Sequence, residues 1–562
     1  MSTHARPLAV RLAAAGDDEL GALFQARGVR PDPGWQDFFD AAEALLEPAS
    51  VERALTALTL PQAAALLRVE AGGDAGAPRA HLIALGLLDG EGSLPVPVAD
   101  LLIARDGVPS PDGTPLPEPS SESAAARAAE RAFTTVGRVA DLLLSVRESA
   151  PSLLATGQLS AGDRKRLAES GIPTEEIDDL RALAVSAGLL HVGDRRLLLG
   201  EAAALWLPAS FADRWSALAS AFRADLPAGV RTDGSWTPPS TWPLAYPWDG
   251  GWPAQAERLA TRLGLLGLSG DDGSEPVWAG PVRTGAAVDP APLAALVPAE
   301  VDKVFLQNDL TAIAPGPLVP SLELRLRGMT EHESSGSSSY RFTEDSLTRA
   351  LVDGETEQGL VEFLTALSLT GMPQPLAYLI SQSSQRHGLV RVWQTATGTT
   401  ITSRDPHLIE ALGVDRGLRP LALLPEDGML VSRVGAETVY WALVDARYPA
   451  TLVDADGDPV PATRTPAAAP PVEPAPSYAP LIARLRSRQG PDADAAWLDR
   501  ELDAAVRGKA TIVVEVGMPD GSTRELTLEA AGLGGGRLRG RDREADVERT
   551  LPVRSILSVR PA

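Results

Sequence analysis

From Val301 to Trp393, turn residues and hydrophobic periodicity agree element by element, and no other stretch constrains the fold as tightly. It begins with an apolar run, Val304 to Ala314, closed by Pro315-Gly316-Pro317. The polar step Gln307-Asn308-Asp309 interrupts that run, which predicts a hairpin turn or a bulge and not one long central strand. A short helix is expected over Leu322 to Met329, followed by a polar break from Ser334 to Ser339 and a short strand at Tyr340-Arg341-Phe342. Thr343 stands where an N-cap belongs, with Glu344 and Asp345 favourable in the first turn of the next helix. Leu347, Ala350 and Leu351 share one face of that helix, and Gly354 stops it. A second helix places Leu360, Val361, Leu364 and Leu367 on its buried side. Pro373 and Pro375 open a third, with Leu376, Leu379 and Ile380 inward, and His387-Gly388 ends it before a strand at Leu389 to Trp393. Beyond it come a Thr-rich strand to Ser403, a short helix at Leu408 to Leu412, an apolar run from Leu418 to Val434 and a helix at Ala436 to Ala446.

The run Phe305 to Pro317 and the longer run from Tyr340 to Val392 resemble the domain at the N-terminus of XPB-type DNA helicases. The same domain occurs in actinobacterial proteins called helicase-associated. The pattern that carries the resemblance is a strand ending Pro-Gly-Pro, then Tyr340-Arg341-Phe342-Thr343, then Pro373-Gln374-Pro375 before a helix ending Arg386-His387-Gly388. The resemblance implies an accessory domain of DNA-repair or transcription machinery, one that docks partners and is not itself a motor.

At 562 residues the chain has room for several domains, and 44% apolar residues are enough to build real cores. No run approaches the roughly 18 apolar residues that a membrane helix needs. The start, Met1 to Ala15, has Arg11 inside its only apolar patch, so a secretory leader is not expected and a cytoplasmic location is. The absence of cysteine excludes disulfides and thiolate metal sites. A net charge of −23 opposes any simple DNA-binding account, because phosphate contacts supply most non-specific affinity.

The N-terminal part reads as helices with a recurring ending. Gly86-Leu87-Leu88, Gly188-Leu189-Leu190 and Leu263-Gly264-Leu265-Leu266-Gly267 each follow a helix and lead toward a short apolar hairpin, in the first case around Leu94 to Val98. Helices followed by such a hairpin are the pattern of a winged helix-turn-helix, and three copies suggest an internal repeat. In the second copy the helix before the wing, Glu175 to Ala187, opens with Glu175, Glu176, Asp178 and Asp179, which would repel DNA where a recognition helix meets it. Arg79 and His81 in the first copy, with Arg258 and Arg262 in the third, remain secondary candidates for nucleic-acid contact. Trp236, Trp242, Trp248 and Trp252, spaced by prolines, read as a loop pinned by buried indoles. Ser120 to Ser149 reads as a long helix with a Val136, Val139, Leu142, Leu143 stripe.

Seven prolines between Val460 and Pro480 make an extended linker. After it, a helix at Asp494 to Val506 precedes five short strands with tight turns, which predicts a small SH3-like barrel. The order and the closing Thr550-Leu551-Pro552-Val553-Arg554-Ser555-Ile556 resemble WYL-type domains, which bind ligands or nucleic acid. The Trp-Tyr-Leu triplet itself is absent, with Thr511-Ile512-Val513 near its place. From Tyr478 onward 14 basic and 13 acidic side chains nearly balance, whereas the preceding residues hold 37 basic and 61 acidic, a net −24. Strand alternation puts Arg537, Arg539, Arg541 and Arg543 on one face, the best candidate for nucleic acid.

Catalytic chemistry finds no foothold. Lys509 follows Gly508 without the glycine spacing of a phosphate loop, the six histidines form no pair at metal-ligand spacing, and no Gly-x-Ser-x-Gly elbow occurs. No cofactor and no metal are expected. The expected fold is multidomain α+β. It comprises a helical, winged-helix module at 1–107 and a linker at 108–119, then a helix plus winged-helix module at 120–225 and a Pro/Trp-rich loop with a third winged-helix-like module at 226–295. A central α/β domain resembling the XPB N-terminal domain comes next at 296–450, then a Pro-rich linker at 451–480 and a WYL-like barrel at 481–562. The expected function is non-catalytic and helicase-associated: binding DNA, or docking on a DNA repair or transcription protein, with no membrane. The alternative is a ligand-sensing transcriptional regulator or protein scaffold that uses the WYL-like barrel.

Overall fold

Left-handed glycines divide the first 300 residues into short helices. In the computed structural model, which describes residues 5–105, 107–109, 115–232, 234–332, 339–396, 398–455, 457, 460, 477–490, 493–518 and 521–561, the chain is mixed α+β with several small sheets. Gly86, Gly188 and Gly267 take φ of 72°, 67° and 63°. The amide after each bonds the carbonyl five residues back, as Leu87 to Leu82 at 3.0 Å, Leu189 to Ala184 at 2.8 Å and Leu268 to Leu263 at 3.0 Å. This is a Schellman ending, and it demands a residue without a Cβ penalty. In the third copy the helix Trp252–Leu265 runs through Gly264, so Gly267 is the capping residue.

A paired hairpin comes only after the second ending, where Leu190–Gly193 lies antiparallel to Arg196–Leu199. Asp194 and Arg195 turn it with φ of 49° and 57°, the mirror-image geometry that suits two-residue hairpins. The other two endings close a turn instead, with Asp89 N–H to Ser93 O at 2.9 Å and Gly270 N–H to Ser274 O at 2.8 Å. Short helices, Val96–Leu102 and Ala279–Thr284, then stand in place of the expected hairpin strands. Pro95 and Pro97 bracket the start of the first, and Pro276 and Pro281 that of the second. A proline cannot donate into a strand ladder and is pre-set for a first helical turn.

The helix Glu122–Glu148 is capped by Ser121, whose Oγ accepts from Ala124 N–H at 3.2 Å, and buries Val136, Val139, Leu142 and Leu143 in the core of the middle module. Trp236, Trp242 and Trp252 join that core, with the Trp242 indole donating to Thr237 O at 2.8 Å and Trp252 to Trp242 O at 2.6 Å. The Pro/Trp segment is a pinned loop, as its composition predicts. Trp248 is half-buried and lies under the Arg105 guanidinium at 5.2 Å.

The N-terminal core is completed from the far end of the chain. Tyr478, Leu481, Ile482, Leu485 and Trp497 are buried in the same cluster as Phe24, Phe38 and Phe39. Tyr478 donates to Val29 O at 2.8 Å, and Arg484 pairs with Asp32 at 2.7 Å. Arg500 pairs with Asp40 at 2.8 Å and Asp37 at 3.1 Å while stacking over Phe39 at 4.3 Å. The helices Ala479–Ser487 and Ala493–Arg507 therefore belong in part to the first module, although most of the Pro-rich linker, 461–476, lies outside the described residues.

The stretch from 301 to 453 holds two cores. The first gathers Val304 to Ile380 around an antiparallel sheet ordered Phe305–Leu306, Thr311–Ile313, Ser339–Arg341, Glu331–His332. Gln307 to Leu310 form the hairpin turn, Leu310 taking φ 66°. Thr343 caps as its position predicts, its Oγ1 accepting from Ser346 N–H at 3.1 Å. The polar break at 333–338 lies outside the described residues. The second core, Val390 to Leu452, is organised on Val390–Thr395 and Gly398–Ser403; the apolar run at Leu418 to Val434 resolves into a hairpin, Leu424–Glu426 with Met429–Ser432. Ala450–Leu452 returns parallel to Val390–Val392 and completes this sheet.

At the C-terminal end, strands Thr511–Gly517, Thr523–Gly534, Arg537–Asp542 and Val547–Pro552 form a meander, and Ile556–Pro561 pairs back on the first. Among the described residues the sheet is open: no ladder joins Val547–Pro552 to Ile556–Pro561, so the expected closed barrel is not formed. Pro552 and the three-residue turn Val553–Ser555 carry the chain past that edge without a ladder donor at the corner. Among the described residues no helix is long and apolar enough to cross a membrane.

Candidate nucleic-acid face and a central cleft

The strand Arg537–Asp542 alternates as its sequence demands: Arg537, Arg539 and Arg541 are exposed, and Leu538, Gly540 and Asp542 are buried. Gly540 is required on the inner side, because a Cβ there would lie 2.9 Å from Glu529 O. Asp542 accepts from Arg549 Nε at 2.5 Å and from the amides of Glu544 and Ala545 at 3.0 and 3.1 Å. The Arg549 bond first, and those amides with it, hold its carboxyl below the usual carboxylate range. This ion pair, with its carboxylate buried and its guanidinium half-buried, fixes the turn that ends the arginine strand.

The arginine row divides into two halves. Arg541 pairs with Asp546 at 2.6 Å and sits between Glu529 and Glu548 on the neighbouring strands. Arg543 lies beyond the strand end, 3.8 Å from Glu529. Arg537 and Arg539 have no carboxylate partner among the described residues, and their cross-strand neighbours are Gly534 with Pro552 and Gly532 with Thr550. Two open guanidiniums beside glycine backbone make a surface that a phosphate can approach closely. Arg554, on the turn after Pro552, is also exposed and unpaired among the described residues, and alternation could not single it out because it is not on a strand.

The secondary candidates are dispersed. Arg79 is exposed, donates to Glu91 O and lies 3.9 Å from Asp74. His81 and Arg258 are exposed on the helices Arg79–Ala84 and Trp252–Leu265. Arg262 instead bonds Asp179 at 2.8 Å in a half-buried contact between two helices of the middle module. The acidic helix start is neutralised in the same way, with Glu176 on Arg138 at 2.5 Å and Asp178 on Arg164 at 2.7 Å. Those carboxylates tie neighbouring helices of the middle module together, a role that local sequence does not reveal.

Charge also joins the middle module to the first α/β core. Arg327 reaches Asp141 at 2.5 Å and Glu323 at 3.6 Å, the former a half-buried pair. Burial alone would lower the Arg327 pKa, but Asp141 and Glu323 more than reverse it, and burial raises that of Glu323. Nearby, Arg214 is buried, donates to Trp206 O at 3.1 Å, and is pushed down to about 10 by desolvation. Where the two α/β cores meet, His387 Nε2 lies 3.1 Å from Thr451 Oγ1, and burial pushes its imidazole below the ordinary histidine value.

A cleft of about 1010 Å³ opens where the middle module and the two α/β cores converge. Its wall includes Arg147, Arg349, Asp353, His387, Trp441 and Arg447. These come from widely separated segments, so no sequence motif marks them. Among the described residues no cluster of histidine, aspartate and glutamate could hold a metal ion.

Residues 304–425 match the helicase conserved C-terminal domain. The match begins at the first strand of the first α/β core and ends within the hairpin of the second, so it covers the first core, the junction at His387 and the opening part of the second core. That part of the chain is helicase-related. No curated protein matches the chain.

Proposed function

We propose that this protein is a helicase-related accessory factor of DNA repair or transcription, with no ATPase motor of its own, which docks on DNA or on the machinery that processes it. The observation that carries the reading is the helicase match, which covers the first of two small, almost wholly antiparallel cores and the opening part of the second. The absence of a glycine-rich phosphate loop from the sequence supports it. The finer resemblance to the XPB N-terminal domain fits the same segment. Direct DNA contact is assigned to Arg537 and Arg539, with Arg554 beside them, because these guanidiniums are exposed and unpaired among the described residues in a chain of net charge −23. Purified protein should not hydrolyse ATP with or without DNA; DNA-stimulated turnover that survives stringent purification would overturn the reading.

A second reading is a ligand-sensing regulator. One observation favours it: the C-terminal sheet returns its last strand to its first through a short 3-10 turn, an order similar to SH3-like and WYL-type domains.

A further inference from the structure

The C-terminal sheet lacks the side chains that stack on bases. No Phe, Tyr, Trp or His follows Trp497 in the sequence, and neither does Asn or Gln. Trp497 itself is buried in the N-terminal core. Single strands are held by stacking their bases on aromatic rings, and adenine in a groove is read by Asn or Gln. With neither device present, Arg537 and Arg539 offer a nucleic acid charge directed at phosphate, and at most a contact with guanine.

The ground around these guanidiniums is bare. Their neighbours on the preceding strand are Gly534 and Gly532, and a Cβ at either, or at Gly535 and Gly536 in the connecting turn, would meet nothing within 4 Å. Gly535 and Gly536 take φ of 59° and 70°, the mirror-image hairpin geometry, so the corner carries no side chain that would hold a rigid backbone away. On the following strand Arg539 faces Thr550, an exposed hydroxyl that can donate to a phosphate oxygen. Alternate residues of a strand stand roughly 7 Å apart, so the two guanidiniums can engage separate phosphates. At the other end of the strand Glu529, Asp546 and Glu548 surround Arg541, which confines an anion to the glycine corner. Without stacking, phosphate density decides between single and double strands. Each contact releases more counterion from a duplex, with salt slopes of about 0.9 against about 0.7 for a single strand. Taking equal affinity at 1 M salt, two contacts favour the duplex about threefold at 50 mM and about twofold at 200 mM.

We propose that the glycine corner of the C-terminal sheet binds duplex DNA by its backbone, in preference to single strands and without regard to sequence. The proposal rests on the assignment of DNA contact to Arg537 and Arg539. The test is fluorescence anisotropy of the full-length chain with a labelled duplex, with each of its separated strands, and with AT-rich and GC-rich duplexes of the same length. The duplex should bind about threefold tighter than either strand at 50 mM salt, and the ratio should fall toward about twofold at 200 mM. The AT-rich and GC-rich duplexes should bind equally. Arg537→Ser with Arg539→Ser should erase the duplex preference with unchanged melting temperature, whereas Arg537→Lys with Arg539→Lys, which keeps both charges, should retain it. Equal or tighter binding of single strands, a several-fold preference for the GC-rich duplex, or a duplex preference that survives the serine pair would overturn the proposal and leave DNA contact standing. Failure of every probe to bind would overturn both.

Discussion

Asp542 shows how one buried carboxylate can organise a surface. Its folded pKa is depressed, so the stability it contributes is present above the unfolded value of about 3.9 and is lost as pH falls through the folded value. Asp542→Asn should lower the melting temperature at pH 7, and the two melting curves should converge toward pH 3; a gap that persists in acid would show that the charge is not responsible. His387 works in the same direction on the pH axis but in a higher window. Burial favours its neutral form, so the contact with Thr451 is fully stabilising above the unfolded value of about 6.5 and weakens as pH falls below it. His387→Gln should flatten the dependence of melting temperature between pH 7.5 and 5.5, and an unchanged slope would remove histidine from the account. The sequence marks His387 as the residue ending a helix, which it does, but its partner lies 64 positions away and no local pattern names it.

At the scale of elements, turn chemistry is the most legible signal. The hairpin at Gln307 to Leu310, the cap at Thr343, the stop at Gly354 and the helix opened by Pro373 and Pro375 all occur where their residues predict. The alternation of the arginine strand is equally direct, since a two-residue period leaves one reading for Leu538. The hairpins expected after Gly86 and Gly267 do not form, because a glycine ending states only that a helix stops, and prolines downstream select the next element. Gly267 offers a sharp test: an added Cβ would meet Ala128 O at 2.3 Å at a φ of 63°, whereas Gly273 at φ 78° faces open space. Gly273→Ala should cost about 1 kcal/mol from backbone strain alone, and Gly267→Ala distinctly more, by chemical denaturation. Equal costs would mean that the long helix does not press on that ending.

For the whole molecule, the least legible feature is that the chain closes on itself. Nothing local in Leu481, Leu485 or Trp497 reveals that they complete a core begun at Ala5, because hydrophobic periodicity marks a buried face without naming its partner. Leu485→Ala should cost about 2–5 kcal/mol and speed amide hydrogen exchange in the helix Asp17–Ala26 as well as in its own; exchange rising only beyond Tyr478 would contradict the shared core. The closure also brings Arg484, Arg486 and Arg500 onto Asp32, Asp17 and Asp40, whereas Arg537 and Arg539 of the C-terminal sheet stay outside such pairs among the described residues, which is why DNA contact is proposed for them. The most direct test of that role is a fluorescence-anisotropy titration of a labelled duplex with the full-length chain across a series of salt concentrations. Wild-type affinity should fall steeply with salt, and Arg537→Ser with Arg539→Ser should weaken binding and reduce the slope of log affinity against log salt by about 2, one for each arginine–phosphate pair removed. Binding of the double variant with the same affinity and the same slope as wild type would contradict the account.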